Sequence, residues 1–273
     1  MKLARLSVRG GTYAVELTRT RNTDIEPEDA PGQELVYPDG QDIAILWERD
    51  TMLRSYWESH PRYLFFRNLP RNARLLDVGA GPGGLPVWKE WAKPTRGDIN
   101  LYAIDVKKGE RFDQYVGYQL TDLNKCQFDF PHQYFDAMLM SHCLEHLAMA
   151  PKVLQALWQL MKPGGQIYVE IPVADSIHHK PRAEYQAEGL CICVTNFNDD
   201  ITHVTRYTLS QLIDLMGEAG FHFIQAGIIE NKLLQPELLK WGIDHADEDL
   251  TTFGIWLKNR FAQYCIGERE GDG

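Results

Sequence analysis

The chain has 273 residues, 44% apolar and 24% charged, with a formal charge of −10 and an isoelectric point near 5.4. This is the composition of a folded protein large enough to bury a full core, and it excludes disorder and broad electrostatic attachment to nucleic acid or an anionic membrane. The five cysteines are odd in number and show no CxxC spacing, no apolar run reaches the ~18 residues of a membrane span, and the N-terminus lacks the apolar stretch of a signal peptide. The expectation is a soluble, cytoplasmic protein that acts on a small molecule.

Residues 3–18 alternate around Gly10-Gly11 as a β-hairpin does, and 21–41 are rich in Pro, Gly, Asp and Glu, which marks a loop. Residues 42–57 carry Ile43, Ile45, Leu46, Leu53 and Trp57 at helical spacing, followed by the apolar run Tyr63-Leu64-Phe65-Phe66. Such a helix packs beside the first strand or forms part of a lid. Residues 1–60 therefore read as an accessory segment that could also support a homodimer, and 61–273 as the main domain.

From residue 74, strand-length apolar runs at 74–79, 101–106, 118–123, 135–141, 166–172, 221–229 and 251–258 alternate with helix-like stretches. This rhythm predicts an α/β fold with a mostly parallel sheet covered on both faces. Helices are expected over 151–161, stopping at Pro163-Gly164-Gly165, and over 208–219, with Thr208 as N-cap and Gly220 as stop. Residues 173–203 show no period, and a loop that long is a candidate substrate lid. It contains His178-His179, readable as solvated or as substrate contacts.

The most informative segment is Leu75-Leu76-Asp77-Val78-Gly79-Ala80-Gly81-Pro82-Gly83-Gly84, a strand that runs into a glycine-rich turn. Bare backbone there lets a ligand approach closely and turns N–H groups toward it. The spacing Gly79, Gly81, Gly84 also fits a dinucleotide fingerprint. However, Asp77, two residues before the first glycine, would repel a pyrophosphate and suits a ligand with a cationic amino group. Asp105, ending the second strand, is an acid fit for ribose hydroxyls. Asp122 and Leu123 follow the third strand and read either as contacts to an adenine or as a turn.

These segments, together with Phe135-Asp-Ala-Met-Leu-Met-Ser-His-Cys-Leu-Glu-His-Leu147 and Leu160-Met-Lys-Pro-Gly-Gly-Gln-Ile-Tyr-Val-Glu-Ile-Pro172, resemble the class I S-adenosylmethionine-dependent methyltransferases over about residues 60–230. The resemblance implies a Rossmann-like, seven-stranded sheet whose last strand is antiparallel. It also implies that Asp77, Gly79, Ala80, Gly81 and Gly83 hold the methionine part of S-adenosylmethionine. Asp105 and Val106 would then hold the ribose and Asp122 and Leu123 the adenine, with Ser141 where the fourth strand meets the ligand.

His142, Glu145 and His146 stand at i, i+3 and i+4 and would share one face of a helix. Two imidazoles and a carboxylate could ligate a divalent metal, and the run resembles the Glu-x-x-Glu-His element of metal-dependent O-methyltransferases, with His142 in place of the first Glu. By the same resemblance His203 would complete the set. Three His and one Glu suit Fe, Mn, Zn or Co better than Mg. A metal-free histidine base and a structural role are the competing readings.

Methyl transfer from a sulfonium needs alignment and loss of the acceptor's proton. The functional expectation is an O-methyltransferase acting on a hydroxylated small molecule such as a sugar or glycan precursor, with His146, His203 and Glu145 as catalytic groups. The alternatives are an NAD-dependent oxidoreductase, a non-catalytic scaffold, and a methyltransferase for an amine, a carbon or an RNA 2′-hydroxyl.

Overall fold

A computed structural model describes residues 43–271, with side chains from residue 48 onward. The expected hairpin over 3–18 and loop over 21–41 lie outside the described residues. From Ile43 onward the chain forms one compact unit.

Helices α1 (Ile43–Ser59) and α2 (Pro61–Asn68) lead into strand β1 (Arg74–Val78) and, after the glycine turn, α3 (Leu85–Trp91). Strands β2 (Asn100–Asp105), β3 (Gly117–Leu120) and β4 (Phe135–Ser141) precede α4 (Ala150–Leu160), β5 (Met161–Pro172), α5 (Arg182–Ala187) and α6 (Leu209–Glu218). Then come β6 (His222–Ile228), α7 (Gln235–Asp244), α8 (Glu248–Asn259) and β7 (Ala262–Glu268).

The seven strands form one sheet in the order β3-β2-β1-β4-β5-β7-β6. Strands β1 to β5 pair in parallel, and β7 runs antiparallel to both β5 and β6, so the expected seven-stranded α/β sheet with an antiparallel last strand is present. Successive strand residues point to opposite faces, and two cores result. Leu75, Leu101, Ala137 and Leu139 pack with α1, α2, α3, α7 and α8 on one side. Leu76, Ile104, Met138 and Met140 pack with α4 and α6 on the other.

Several expectations change. The run 251–258, expected as a strand, is the helix α8, and the last strand lies later at 262–268. Thr251-Thr252-Phe253 and Ile255-Trp256 have strand propensity, but the Asp247 carboxylate accepts from Leu250 N at 2.9 Å and caps a helix instead. Packing decides the matter. A Cβ on Gly254 would lie 2.7 Å from Leu239 N, and one on Gly242 would lie 2.4 Å from Thr251 N, so the pair α7–α8 closes through its glycines.

Residues 173–203 are not a structureless lid. They contain α5 and two short 3₁₀ turns, and the Asp199 carboxylate gathers the backbone N–H groups of Arg182 (3.0 Å), Thr195 (2.8 Å) and Asn196 (2.9 Å). By contrast, α6 forms as read. Thr208 and Gln211 make a reciprocal capping box, and Gly220 ends the helix at φ +100°. The expected helix face at 142–146 is absent: His142 has φ +49°, and 144–146 make a single 3₁₀ turn.

Candidate functional site

A cavity of about 690 Å³ opens where the glycine turn meets the C-terminal ends of β1 and β4. Gly79, at φ +71°, donates its N–H to Ile104 O at 2.8 Å, and a Cβ there would meet Cys143 Sγ at 2.5 Å, so the position accepts glycine alone. Gly81, at φ +55°, has open space where its Cβ would be and donates its N–H to Asp105 Oδ2 at 2.8 Å. The turn is thus a backbone cradle, tied to the end of β2 by the acid expected there.

Asp77 lines the cavity but is only 6% exposed. Burial pushes its pKa up to about 7; the Tyr115 hydroxyl, which donates to it at 2.7 Å, and the Arg62 charge act in the opposite direction. Opposite in sign to Asp77 stands Arg62 of α2. Its Nη1 donates to Ser141 Oγ at 2.5 Å, and its guanidinium lies 4.8 Å from the Trp57 ring and 5.7 Å from the Trp88 ring. Both Arg62 and Ser141 line the cavity.

Beneath them Glu170 of β5 is fully buried, in register with Ser141. The Tyr168 hydroxyl donates to it at 2.6 Å, His142 Nε2 lies 3.1 Å away, Arg62 Nε 3.7 Å and His60 Nε2 4.0 Å. Burial works to raise its pKa, yet Arg62, His60 and His142 hold the carboxyl well below the usual range. His142 lines the cavity between two acids, with Glu145 Oε1 at 3.5 Å from its Nδ1. Burial disfavours its charge, but Glu145 and Glu170 push its pKa up to about 9.

Glu145, His146 and His203 form a second group, each offering a ligand atom within 4.8 Å of the others. Glu145 is 1% exposed, and neither of its carboxylate oxygens has a hydrogen-bond partner among the described residues. His146 Nδ1 meets Thr202 Oγ at 2.9 Å, whose hydroxyl donates to Asp200 at 2.6 Å, and His203 Nδ1 meets Phe197 O at 2.7 Å. With Nδ1 of each ring occupied, both Nε2 atoms are left for the centre of the group. The backbone N–H groups of Val204 and Thr205 donate to Glu145 O and hold the two segments together.

Of the residues expected at the site, Asp77, Gly79, Ala80, Gly81 and Ser141 line the cavity, and so does His142. Asp105 lies just behind, and Val106 is exposed at the strand end. Gly83 packs near Tyr115 and Arg111. The Asp122 carboxylate caps the 3₁₀ turn at 123–125, and the Leu123 side chain is buried in the second core. Glu145, His146 and His203 do not line this cavity, and His142, expected as the fourth member of their set, lies between Glu145 and Glu170 and outside the group of three whose ligand atoms converge. Arg62 and Glu170 escaped the sequence reading. Glu170 had a signal, an acid inside an otherwise apolar strand; Arg62 had none beyond its aromatic neighbours.

The family model described as a methyltransferase domain matches residues 50–226. The chain is 29% identical over 103 residues to the ubiquinone/menaquinone biosynthesis C-methyltransferase of Vibrio cholerae, which covers 35% of this chain and 40% of that protein. It is 25% identical over 136 residues to the mitochondrial ubiquinone biosynthesis O-methyltransferase of Mus musculus, 47% of this chain and 35% of that one. The chain thus spans well under two thirds of the curated relatives it matches. Among solved structures, a chain from the Haloferax volcanii complex that contains the Trm112 methyltransferase activator superposes with TM-score 0.52 at 15% identity, over 85% of this chain and all of that one. Phosphoethanolamine N-methyltransferase 2 of Haemonchus contortus, bound to S-adenosylhomocysteine, gives TM-score 0.51 at 13% identity over 81% and 52% of the two chains. These two likenesses concern the fold.

Proposed function

The chain belongs to the methyltransferase-domain family, and we propose that it is an S-adenosylmethionine-dependent methyltransferase that moves the methyl group to an oxygen of a hydroxylated small molecule. The NAD-dependent and non-catalytic readings fall with this assignment. The observation that carries the oxygen reading is His142, an imidazole in the cavity wall backed by the buried carboxylates of Glu145 and Glu170.

The residues present fit the donor. Asp77 suits its amino group, Arg62 its carboxylate and the open backbone at Gly81 its close approach, so the two charges of an amino-acid end meet two opposite charges in one cavity. When bound, S-adenosylmethionine supplies a methyl group on a positively charged sulfur. The acceptor oxygen forms the C–O bond as the C–S bond breaks, the sulfur keeps the electron pair, and the hydroxyl proton leaves to solvent. His142 is favoured as the group facing that oxygen, because His146 and His203 do not line the cavity. The expected sugar or glycan precursor is one member of the hydroxylated class, and the acidic charge of the chain disfavours RNA.

A metal at Glu145, His146 and His203 is a separate part of the proposal, supported by the convergence of their ligand atoms and by the buried Glu145 carboxylate, which lies 3.5 Å from His142 Nδ1 and 3.9 Å from His203 Nε2 but accepts no hydrogen bond among the described residues. The donor set suits Fe, Mn, Zn or Co. Elemental analysis of untagged protein should find about one equivalent, lost in Glu145→Ala and His203→Ala and kept in His142→Ala. Loss in all three would restore the four-ligand reading, and no metal in the wild type would end both. A screen with labelled donor against sugars, phenols, amines and RNA, with and without chelator, tests the acceptor; transfer to amines alone would overturn the oxygen reading.

A further inference from the structure

One wall of the cavity is an unbroken aromatic band. Trp88 of α3 lies 5.0 Å from Trp57 of α1, Trp57 lies 5.5 Å from Phe253 of α8, and Phe253 lies 6.1 Å from Trp256, whose ring is 5.1 Å from that of His142. All five line the cavity. Rings behind the band hold it in place: Tyr56 stacks on Phe253 at 4.2 Å and Phe261 on Trp256 at 5.0 Å.

The charged and polar side chains of the lining are Arg62, Asp77, Arg111, Ser141, His142 and Asp249, and they lie outside the run of rings from Trp57 through Phe253 to Trp256. Asp249 is paired with Arg49 at 2.7 Å, Asp77 takes the Tyr115 hydroxyl, and Arg62 bonds Ser141. A sugar presents a hydrogen-bonding group on nearly every ring carbon, and each group left unmatched in an apolar wall weakens binding. A cationic amine would need an open aromatic face and a spare carboxylate. Here Asp77 is reserved for the donor's amino group and Asp249 is paired with Arg49, so neither acid of the lining is left for a cationic acceptor. A flat ring with one or two hydroxyls matches the band by offset and edge contacts and needs a polar partner at one edge.

From this juxtaposition we propose that the acceptor is an aryl hydroxyl, a phenolic ring seated against Phe253 and Trp256, the part of the band that Arg62 does not cover, with its reacting oxygen toward His142. The proposal rests on the oxygen-transfer reading and narrows it from hydroxylated molecules in general to phenols. A phenol, with a pKa of about 10, surrenders its proton to water far more readily than an alcohol does. The phenolate oxygen then forms the C–O bond as the donor's C–S bond breaks, leaving the electron pair on sulfur.

The test uses the full chain, a panel of mono- and dihydroxylated phenols and a panel of methyl glycosides. Binding is read by quenching of tryptophan fluorescence with S-adenosylhomocysteine at saturation, and transfer is read in separate reactions with labelled donor and no added S-adenosylhomocysteine. Saturable quenching and methylation by phenols, with neither from glycosides, is the expected result. Methylated glycosides beside inert phenols would overturn the aryl assignment and keep oxygen transfer; phenols that bind without being methylated would keep the aryl site and overturn oxygen transfer. Phe253→Leu should raise the KM for the phenol about tenfold, the factor that ~1.4 kcal/mol of lost ring contact represents, and leave S-adenosylhomocysteine affinity unchanged. An unchanged KM would remove the band from the acceptor site.

Discussion

Asp77 lies inside β1, paired across the sheet to Ala103 on one side and Leu139 on the other, and its carboxylate is ionised at a cost. Burial raises its pKa from 3.8 to about 7 in the absence of ligand. A cationic amino group beside it would pull that value back down, so binding of S-adenosylhomocysteine must expel a proton wherever the free protein still holds one. From pH 8 to pH 6 the association constant should therefore fall about tenfold, since each pH unit below the free-state pKa costs one factor of 10. Calorimetry in buffers of different ionisation enthalpy should show the released proton directly. Asp77→Asn should bind roughly 150- to 4,000-fold more weakly, the equivalent of the ~3–5 kcal/mol lost when one partner of a buried pair is removed, and should lose the pH dependence. The stability of the free protein should move the other way. The folded-state pKa lies above the unfolded one, so ionisation penalises the fold increasingly as pH rises from 3.8 toward 7, by at most ~4 kcal/mol. The Asn variant escapes this penalty and should melt no lower than wild type at pH 8. An affinity that is flat from pH 6 to 8, or an Asn variant that binds as tightly as wild type, would refute the assignment of Asp77 to a cationic group.

Gly79→Ala combines φ +71° with a Cβ 2.5 Å from Cys143 Sγ and should cost about 1–3 kcal/mol in urea unfolding; part should return in the double variant with Cys143→Ala, and simple additivity would show that the contact is not the cause. Glu170→Gln leaves Arg62 and His142 without their buried counter-charge and should cost about 3–5 kcal/mol at pH 7. Because the Glu170 carboxyl is held low, its stabilisation is present above the unfolded-state pKa of 4.5 and is lost as pH falls below it, so the gap between variant and wild type should shrink in acid. Asp199→Ala releases the N–H groups of Arg182, Thr195 and Asn196, and hydrogen exchange should accelerate across 180–199 far more than across the sheet.

Local features of the chain carried much of the outcome because their physics is local. A strand carrying Asp77 near its end and running into glycines at positive φ needs no distant partner to be recognised, and Thr208 with Gln211 caps α6 by contacts within one turn. The alternation of apolar strands and helices likewise set the layered α/β plan. What failed were readings that depend on partners far along the chain. Residues 251–258 have the composition of a strand and become helix because α7 offers a glycine-lined face to pack on. Glu170 is an acid in an apolar run until the fold brings Arg62 from α2 and His142 from the end of β4 against it. His142 and His146 are four residues apart yet only His142 lines the cavity, since the backbone at 142 turns left-handed and breaks the helical register their spacing suggested. The aromatic band draws on α1, α3 and α8, elements up to about 200 residues apart in sequence. Spacing along the chain could identify the glycine turn and the acids beside it, whereas the aromatic wall exists through tertiary packing, which sequence periodicity does not encode.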